Sequence, residues 1–484
     1  MPLAWSDLLL ELRRSDLLVA APEQGPSPSA VTADSRAAAP GTVYVAVRGS
    51  QADGHRFVPD AVSRGAAAVI VEAPAGSAVP EIVVRDGRRA ALALGAAWYG
   101  HPARKLTLVG VTGTNGKTTT TGLVRHLLNG SGTSGSIGTL GAFDGRGEPV
   151  LSTAGTLTTP GPIDLQATLA ALVERGVDRV TMEASSHSLD QGRLDGLRFA
   201  AGVFTNLTRD HLDYHGTMES YLAAKLKLGT MLTERGVEVV NLDDGAWEGL
   251  PASPRRVTFG VHPAADVRAT GIVLGAAGSR FRIQGCFGSA EVSLPLLGDF
   301  NVANALAAAA CALGLGMPLP EVAARLATSP QVPGRMELLA EAPCVVLRDY
   351  AHTPDALERA LATLRPLTRG RLVVVFGCGG DRDKGKRPIM GRIAAAGADV
   401  AVVTSDNPRT EDPVAIIDDI EQGMAGVAHL RIVDRLEAIH TALGQADAGD
   451  TILLAGKGHE DYQILGTRKV PFDEREIVRN AVAR

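Results

Sequence analysis

The sequence predicts an α/β protein of three domains, each built on a mostly parallel sheet. Three observations predict this. The 484 residues suit about three domains at ~150 residues apiece. Apolar, β-branched runs alternate with helical stretches along most of the chain, as in sheets covered by helices on both faces. One such run, Leu106 to Thr112, leads into Gly113-Thr114-Asn115-Gly116-Lys117-Thr118-Thr119 and then a helix that stops at Gly130. Strand, glycine loop and helix in that order make an anion cradle. Glycines let the backbone approach phosphate, and the helix start supplies N–H donors and a favourable dipole. Lys117 reaches β- and γ-phosphates and the Thr118 hydroxyl suits Mg²⁺, so ATP is the expected ligand. Val111 stands where the strict eight-residue phosphate-loop pattern has its first glycine.

Composition bounds the rest. With 45% hydrophobic and 21% charged residues the chain can bury real cores. A net charge of -5 gives no basic field for nucleic acid or an anionic membrane, so an anionic substrate needs a local basic cluster. Cys286, Cys311, Cys344 and Cys378 are scattered without a CxxC, which fits reduced thiols and no zinc site. Asp7 and Glu11 interrupt the N-terminal leucines, making a poor signal peptide. Ala305 to Leu319 is shorter than the ~20 residues a membrane span needs and reads as a buried helix. A cytoplasmic monomer with no membrane or nucleic-acid partner is the expectation.

Residues 1–103 form the first expected domain. A leucine-rich amphipathic helix opens it, followed by strands at Thr42 to Val47 and Ala67 to Glu72, and helices at Phe57 to Arg64 and Arg88 to Tyr99. Gly100 and Pro102 close it. The second, 104–337, begins with the phosphate loop and continues with strands at Arg179 to Glu183, Gly202 to Asn206 and Val237 to Leu242. From Arg256 to Leu296 short β-rich runs with glycine turns suggest an antiparallel insert, followed by the helix Asn301 to Leu313. The third, 338–484, alternates again, with strands at Cys344 to Leu347, Arg371 to Phe376, Asp399 to Thr404 and Thr451 to Ala455. This is a Rossmann-like sheet whose ligands belong at the carboxyl ends of its strands.

The polar clusters do follow strand ends. Met182-Glu183-Ala184-Ser185-Ser186-His187 places a carboxylate where a Mg²⁺ ligand belongs, although a buried, capped acid is the alternative. Gln191 and Arg193 follow within reach of an anionic substrate. Thr205 to His215 packs oxygen and imidazole groups behind an apolar strand, with His211 as ligand or base. Lys225 lies in a helix, where a solvated face is the ordinary reading. Asn301 and Asn304 are one helical turn apart and can face one ligand such as adenine. Arg335 and Asp349 lie near a domain junction. In the last unit, Gly377 to Pro388, Ser405 to Arg409 and Gly456 to Glu460 are turns that can converge on a ligand carrying carboxylate and ammonium groups. Arg387 and Arg409 would take carboxylates, Asp406 and Glu460 amines.

Taken together, TADSR, GSQADGHRF, GTNGKTTT, MEASSHSLDQGR, TNLTRDHLDYH, AAK, DYAHTPD, GCGGDRDKGKRP, DNPR and GKGHE resemble the Mur ligase family through nearly the whole chain. The resemblance implies an amide ligase of peptidoglycan precursor synthesis. ATP would phosphorylate the γ-carboxylate of UDP-N-acetylmuramoyl-L-alanyl-D-glutamate, and an amine would attack the acyl phosphate. It implies ATP binding by Gly113, Thr114, Asn115, Gly116, Lys117, Thr118 and Thr119, supported by Asn301, Asn304, Arg335 and Asp349. Two Mg²⁺ ions would be served by Thr118, Glu183, His211 and Lys225, the last matching a carbamylated lysine. The nucleotide-sugar would meet Ala33, Ser35, Ser50, Gln51 and Ala52, and the muramoyl peptide Thr158, Thr159, Ser185, Gln191 and Arg193. Leu157 departs from an asparagine found in some members.

Asp406-Asn407-Pro408-Arg409 matches the members that add meso-diaminopimelate, with Arg387, Gly456 and Glu460 completing the pocket. Diaminopimelate exceeds lysine by one distal carboxylate, for which Arg409 offers a planar fork. Lysine would leave that arginine unpaired, a penalty of roughly 3–5 kcal/mol by analogy with broken buried pairs. Rival readings are a lysine-adding member, a folylpolyglutamate synthase-like ligase, which would lack the first unit, and a degenerate nucleotide-sensing protein, which would lack Lys117, Glu183 or Lys225.

Overall fold

The computed structural model describes residues 3–49, 52–130, 132–150, 157–251, 253 and 255–482. Ser50 and Gln51, expected at the nucleotide-sugar site, lie outside the described residues.

Leucines spaced along Trp5–Arg14 put Trp5, Leu8, Leu9 and Leu12 on one helical face, which covers the first sheet. That sheet has five strands in the order Leu18–Ala20, Glu81–Val84, Ala68–Val71, Thr42–Val45, Ala30–Thr32. Only its first pair is antiparallel.

The second sheet has ten strands and holds the phosphate loop at its middle. Thr107–Thr112 lies between Phe199–Phe204 and Arg179–Glu183 and runs parallel to both, with Val111 opposite Glu183 and Thr112 opposite Phe204. Parallel neighbours in this register bring three carboxyl ends together, which is where an open α/β sheet binds ligands. The stretch expected as an antiparallel insert is instead the far wing of this sheet. Arg256–Gly260 pairs parallel with Leu232–Asn241, and only Val267–Gly275, Gly278–Gly285 and Gly288–Leu294 form antiparallel ladders. The reason is burial: Phe281, Ile283, Val292 and Leu294 alternate inward and extend the core around the helix Asp299–Gly314. That helix is buried from Ala305 to Leu313, and its small side chains bring it close against Lys117–Leu128, the helix that carries the loop.

The third sheet has six strands, ordered Glu337–Ala340, Val345–Asp349, Thr451–Ala455, Leu372–Phe376, Val400–Val403, Leu430–Arg431. Its four middle strands are parallel, so the turns after Asp349, Ala455, Phe376 and Val403 are neighbours at one edge. It begins at Glu337, just ahead of the expected start at 338. A separate hairpin, Tyr462–Leu465 with Arg468–Pro471, was not anticipated. Among the described residues no helix is long and apolar enough to cross a membrane.

Candidate active site

Two glycines set the phosphate loop. Gly113 has φ +148°, and a Cβ there would fall 1.9 Å from the Thr205 hydroxyl oxygen. At Gly116, φ is +82° and a Cβ would fall 2.2 Å from Asn304 Oδ1. Asn206 takes two backbone donors of the loop: its carbonyl accepts from Thr114 N at 2.7 Å and its Oδ1 from Asn115 N at 2.8 Å. The donors left for phosphate are those of the first helical turn from Lys117, which have no intrahelical acceptor. Lys117 folds back, its Nζ donating to Gly113 O at 3.0 Å and Thr114 O at 2.7 Å, and burial lowers its pKa.

A cavity of about 320 Å³ opens beside Lys117 and Thr118, bounded by Glu183, Arg193, His211 and Lys225. Glu183 is 1% exposed, and Thr139 donates to both its oxygens, from N at 2.9 Å and from Oγ1 at 3.1 Å. Burial pushes His211 down to about 4, which favours the neutral imidazole, and its Nε2 lies 3.4 Å from Asp210 Oδ2. The solvated reading of Lys225 is wrong. It is 1% exposed, donates to Gly113 O at 2.6 Å and lies 4.3 Å over the Tyr221 ring. Burial, then the charge of Lys117, lowers its pKa well below that of an ordinary lysine. A neutral amine is the form that reacts with carbon dioxide. Among the described residues no three His, Cys, Asp or Glu side chains are placed to hold a metal ion by themselves. Magnesium, which favours few protein carboxylates plus phosphate and water, fits that sparse donor set. Thr139, His187 and His352 were not singled out in the sequence. His187 packs against His211 and Tyr214 with ring centroids 4.8 and 4.3 Å apart.

Behind the loop a second cavity of about 490 Å³ runs between the second and third sheets, lined by Gly116, Asn304, Arg335, Asp349 and Asp355. Asn304 faces it, but Asn301 does not. Asn301 is 1% exposed, donates to Leu297 O at 2.8 Å and accepts from Asn304 Nδ2 at 3.1 Å. It orients its neighbour, since a buried amide takes the nearest partners. Arg335 reaches Thr118 Oγ1 at 3.1 Å and stacks 4.5 Å over Tyr350. Burial pushes Asp349 up to about 6.

In the third unit, Arg387 is held by acidic side chains. It is 1% exposed and paired through its terminal nitrogens with Glu411 and Asp419, both at 2.9 Å, while its Nε has no hydrogen-bond partner. Buried guanidinium groups require such partners, so its two terminal nitrogens are committed to acids. Arg382, in the same turn, is exposed and lies beside Arg409 and Asn407 around Gly379. Arg409 takes φ +53° and donates to Gly380 O at 2.8 Å. Asp406 is 6% exposed, and its Oδ1 has no hydrogen-bond partner, the Lys457 ammonium standing 3.6 Å away. Lys457, fully buried and overlooked in the sequence, also meets Asn407 Oδ1 at 3.1 Å and Glu460 Oε2 at 3.3 Å. Gly456, at φ +114°, leaves room for the Asp406 carboxylate. The unanticipated hairpin fixes this turn: Ile464 N donates to Asn407 Oδ1 at 3.0 Å and Gln463 Nε2 to Asp406 O at 2.8 Å. Between Glu460 and the central cavity runs a passage of about 360 Å³ lined by Thr139, Leu157, Thr158, Tyr350 and His459.

Thr159, Ser185, Gln191 and Arg193 form one network. Thr159 Oγ1 donates to Glu183 O at 2.8 Å, and Arg193 donates to Thr159 O at 3.0 Å and Gln191 Oε1 at 2.9 Å. Ser185 also caps the helix Ser186–Asp190. Ala33, Ser35 and Ala52 lie on the first unit, and Arg88 ties that unit to the second by donating to Gln191 O at 2.6 Å.

Three family models match in chain order: the Mur ligase family catalytic domain at residues 28–100, the Mur ligase middle domain at 111–312, and the Mur ligase glutamate ligase domain at 334–458. The chain is 46% identical over 467 residues to the UDP-N-acetylmuramoyl-L-alanyl-D-glutamate--2,6-diaminopimelate ligase of Geobacillus kaustophilus (strain HTA426), covering 94% of each. It is 47% identical over 462 residues to the ligase of that name from Gloeobacter violaceus, again covering 94% of each. A solved structure of a ligase with the same name superposes with a TM-score of 0.66 at 35% identity, covering 100% of this chain and 99% of that one.

Proposed function

The chain belongs to the Mur ligase family, and on that premise we propose that it is the ATP-dependent ligase joining meso-2,6-diaminopimelate to UDP-N-acetylmuramoyl-L-alanyl-D-glutamate. A γ-carboxylate oxygen of the D-glutamyl residue attacks the γ-phosphorus of ATP, ADP leaves, and an acyl phosphate forms. The amine then attacks the acyl carbon and inorganic phosphate departs. Such transfers depend on positioning and on charge stabilisation. Lys117 swings from the loop carbonyls to the phosphates, where an anion restores its charge. Asn304, Arg335 and Asp349 hold the nucleotide, and Arg193 and Gln191 hold the muramoyl peptide. The ligand set Thr118, Glu183, His211 and carbamylated Lys225 would hold magnesium, which neutralises charge on the transferring phosphoryl group. Ser35, with residues 50–52, is assigned to the uridine nucleotide.

One observation carries the choice of amine. Asp406 Oδ1 is buried without a hydrogen bond, 3.6 Å from Lys457; Glu460 accepts from the adjacent Asn407, and Arg409 and Arg382 both approach Gly379 in the neighbouring turn. Acceptors and guanidinium groups side by side match the distal centre of diaminopimelate, which bears both ammonium and carboxylate. Arg409 keeps its carboxylate role, with Arg382 beside it.

The test is phosphate release measured with each substrate omitted in turn. Release should require ATP, the UDP-muramoyl dipeptide and the diamino acid together. No release with the complete set would refute the assignment.

A further inference from the structure

Asn115 does more in this structure than phosphate binding uses. Its backbone is held by the central sheet, the N–H by Asn206 Oδ1 at 2.8 Å and the carbonyl by Thr205 Oγ1 at 2.7 Å and Asn206 Nδ2 at 3.1 Å. Its side chain turns the other way. Asn115 Nδ2 donates to Asp355 Oδ2 at 3.1 Å and to Thr208 Oγ1 at 3.3 Å, so one amide joins the loop to the third unit. Asp355 stands in the first turn of the helix Pro354–Leu364, and its other oxygen accepts from Arg359 Nε at 3.0 Å.

Asn115, Asp355 and Arg359 all line the nucleotide cavity. A carboxylate facing a polyphosphate site is unfavourable on charge alone, and here Arg359 offsets it. The helix Pro354–Leu364 follows the strand Val345–Asp349, whose parallel neighbour Thr451–Ala455 leads into Gly456 to Glu460. Helix, strands and amine pocket therefore move as parts of one sheet, and a contact at Asp355 sets the pose of the pocket.

We propose that Asp355 is a positioning residue for amine transfer: its hydrogen bond to Asn115 seats the third unit on the phosphate loop so that the amine reaches the acyl phosphate. This rests on the ligase reading above. The loop senses nucleotide, and the same amide fixes the acceptor pocket, so ATP binding and amine delivery share one register. Misplacing a reactant by a fraction of its bond-forming distance is expensive, so loss of the bond should cost about tenfold or more in turnover.

Two measurements test this on the full chain, with Asp355→Ala, Asp355→Asn, Asn115→Ala and the Asn115→Ala/Asp355→Ala pair. In steady-state kinetics, Asp355→Ala should raise the diaminopimelate KM more than the ATP KM and lower kcat. Asp355→Asn, which keeps an oxygen acceptor for Asn115, should recover most of the loss. The double variant should be no worse than Asn115→Ala. Small-angle scattering with a non-hydrolysable ATP analogue should show a larger radius of gyration for Asp355→Ala than for the wild type, with Asp355→Asn close to the wild type. An asparagine variant as impaired as the alanine one, additive losses in the pair, or unchanged scattering would each overturn the proposal. The scattering comparison holds whatever the amine. A wild type without diaminopimelate-dependent phosphate release would instead sink the ligase reading.

Discussion

Arg387 and Arg382 occupy one glycine-rich turn and do opposite jobs. Arg387 is locked between Glu411 and Asp419, and its guanidinium holds the Glu411 carboxyl at about 2. Removing it leaves Asp419 without its guanidinium and Glu411 with Lys384 at 3.1 Å, so Arg387→Ala should lower stability by about 3 kcal/mol, the low end for a broken buried pair. Arg382 is exposed, so Arg382→Ala should leave the melting temperature within experimental error while raising the diaminopimelate KM at least tenfold, about 1.4 kcal/mol. Thermal melts and steady-state kinetics on the two variants check both statements. Equal effects on stability would mean that Arg387 is not the structural member of the pair. The two residues are indistinguishable in the sequence, because a charge states its sign but not its burial. Lys225 shows the same limit: its residue pattern alone suggests a solvated face, the family resemblance gives it a role, and packing against Tyr221 and Gly113 reveals the buried amine.

Legibility rises where chemistry is local. The strand, loop and helix around Lys117 could be read from the sequence because glycines, a lysine and threonines must follow one another for a backbone to wrap phosphate. The turns at Asp406 and Gly456 were legible for a similar reason, being polar clusters behind apolar strands. The hairpin Tyr462–Pro471 was not, since one strand is half-buried and the other fully exposed, leaving no apolar alternation to see. Yet it anchors Asp406 and Asn407 through Gln463 and Ile464. The wing from Arg256 to Leu294 was read as β structure but assigned to an insert. Pairing partners are long-range, and a strand's own residues do not say which sheet it joins. Thr139 gave no signal at all, being a single threonine at a strand end whose importance comes from the two hydrogen bonds it gives Glu183.

Across the whole molecule, burial around the clefts has a consequence for pH. His187, His211, His352 and His459 are each pushed down to about 4, first by burial. Their unfolded value is about 6.5, so between these values the unfolded chain binds more protons and stability falls as pH falls. Asp349, raised to about 6, acts in the opposite sense, gaining stability as pH drops through 6. Four groups outweigh one. The melting temperature of the ligand-free protein should therefore fall between pH 7 and pH 5, and His352→Gln should flatten the slope. A midpoint that stays constant over that range would show that these imidazoles are solvated.

On the proposed function the three sheets divide the labour: the first is assigned the nucleotide-sugar, the second ATP and the acyl group, the third the amine. The central claim is that the third sheet selects an amine bearing a distal carboxylate through Arg409. The most direct measurement is the ratio of kcat/KM for meso-diaminopimelate to that for L-lysine, in the wild type and in Arg409→Ala. The ratio should exceed about 100 in the wild type, corresponding to at least ~3 kcal/mol, and collapse towards unity in the variant with the ATP KM little changed. A wild-type ratio near unity, or a ratio that survives loss of Arg409, would contradict the claim.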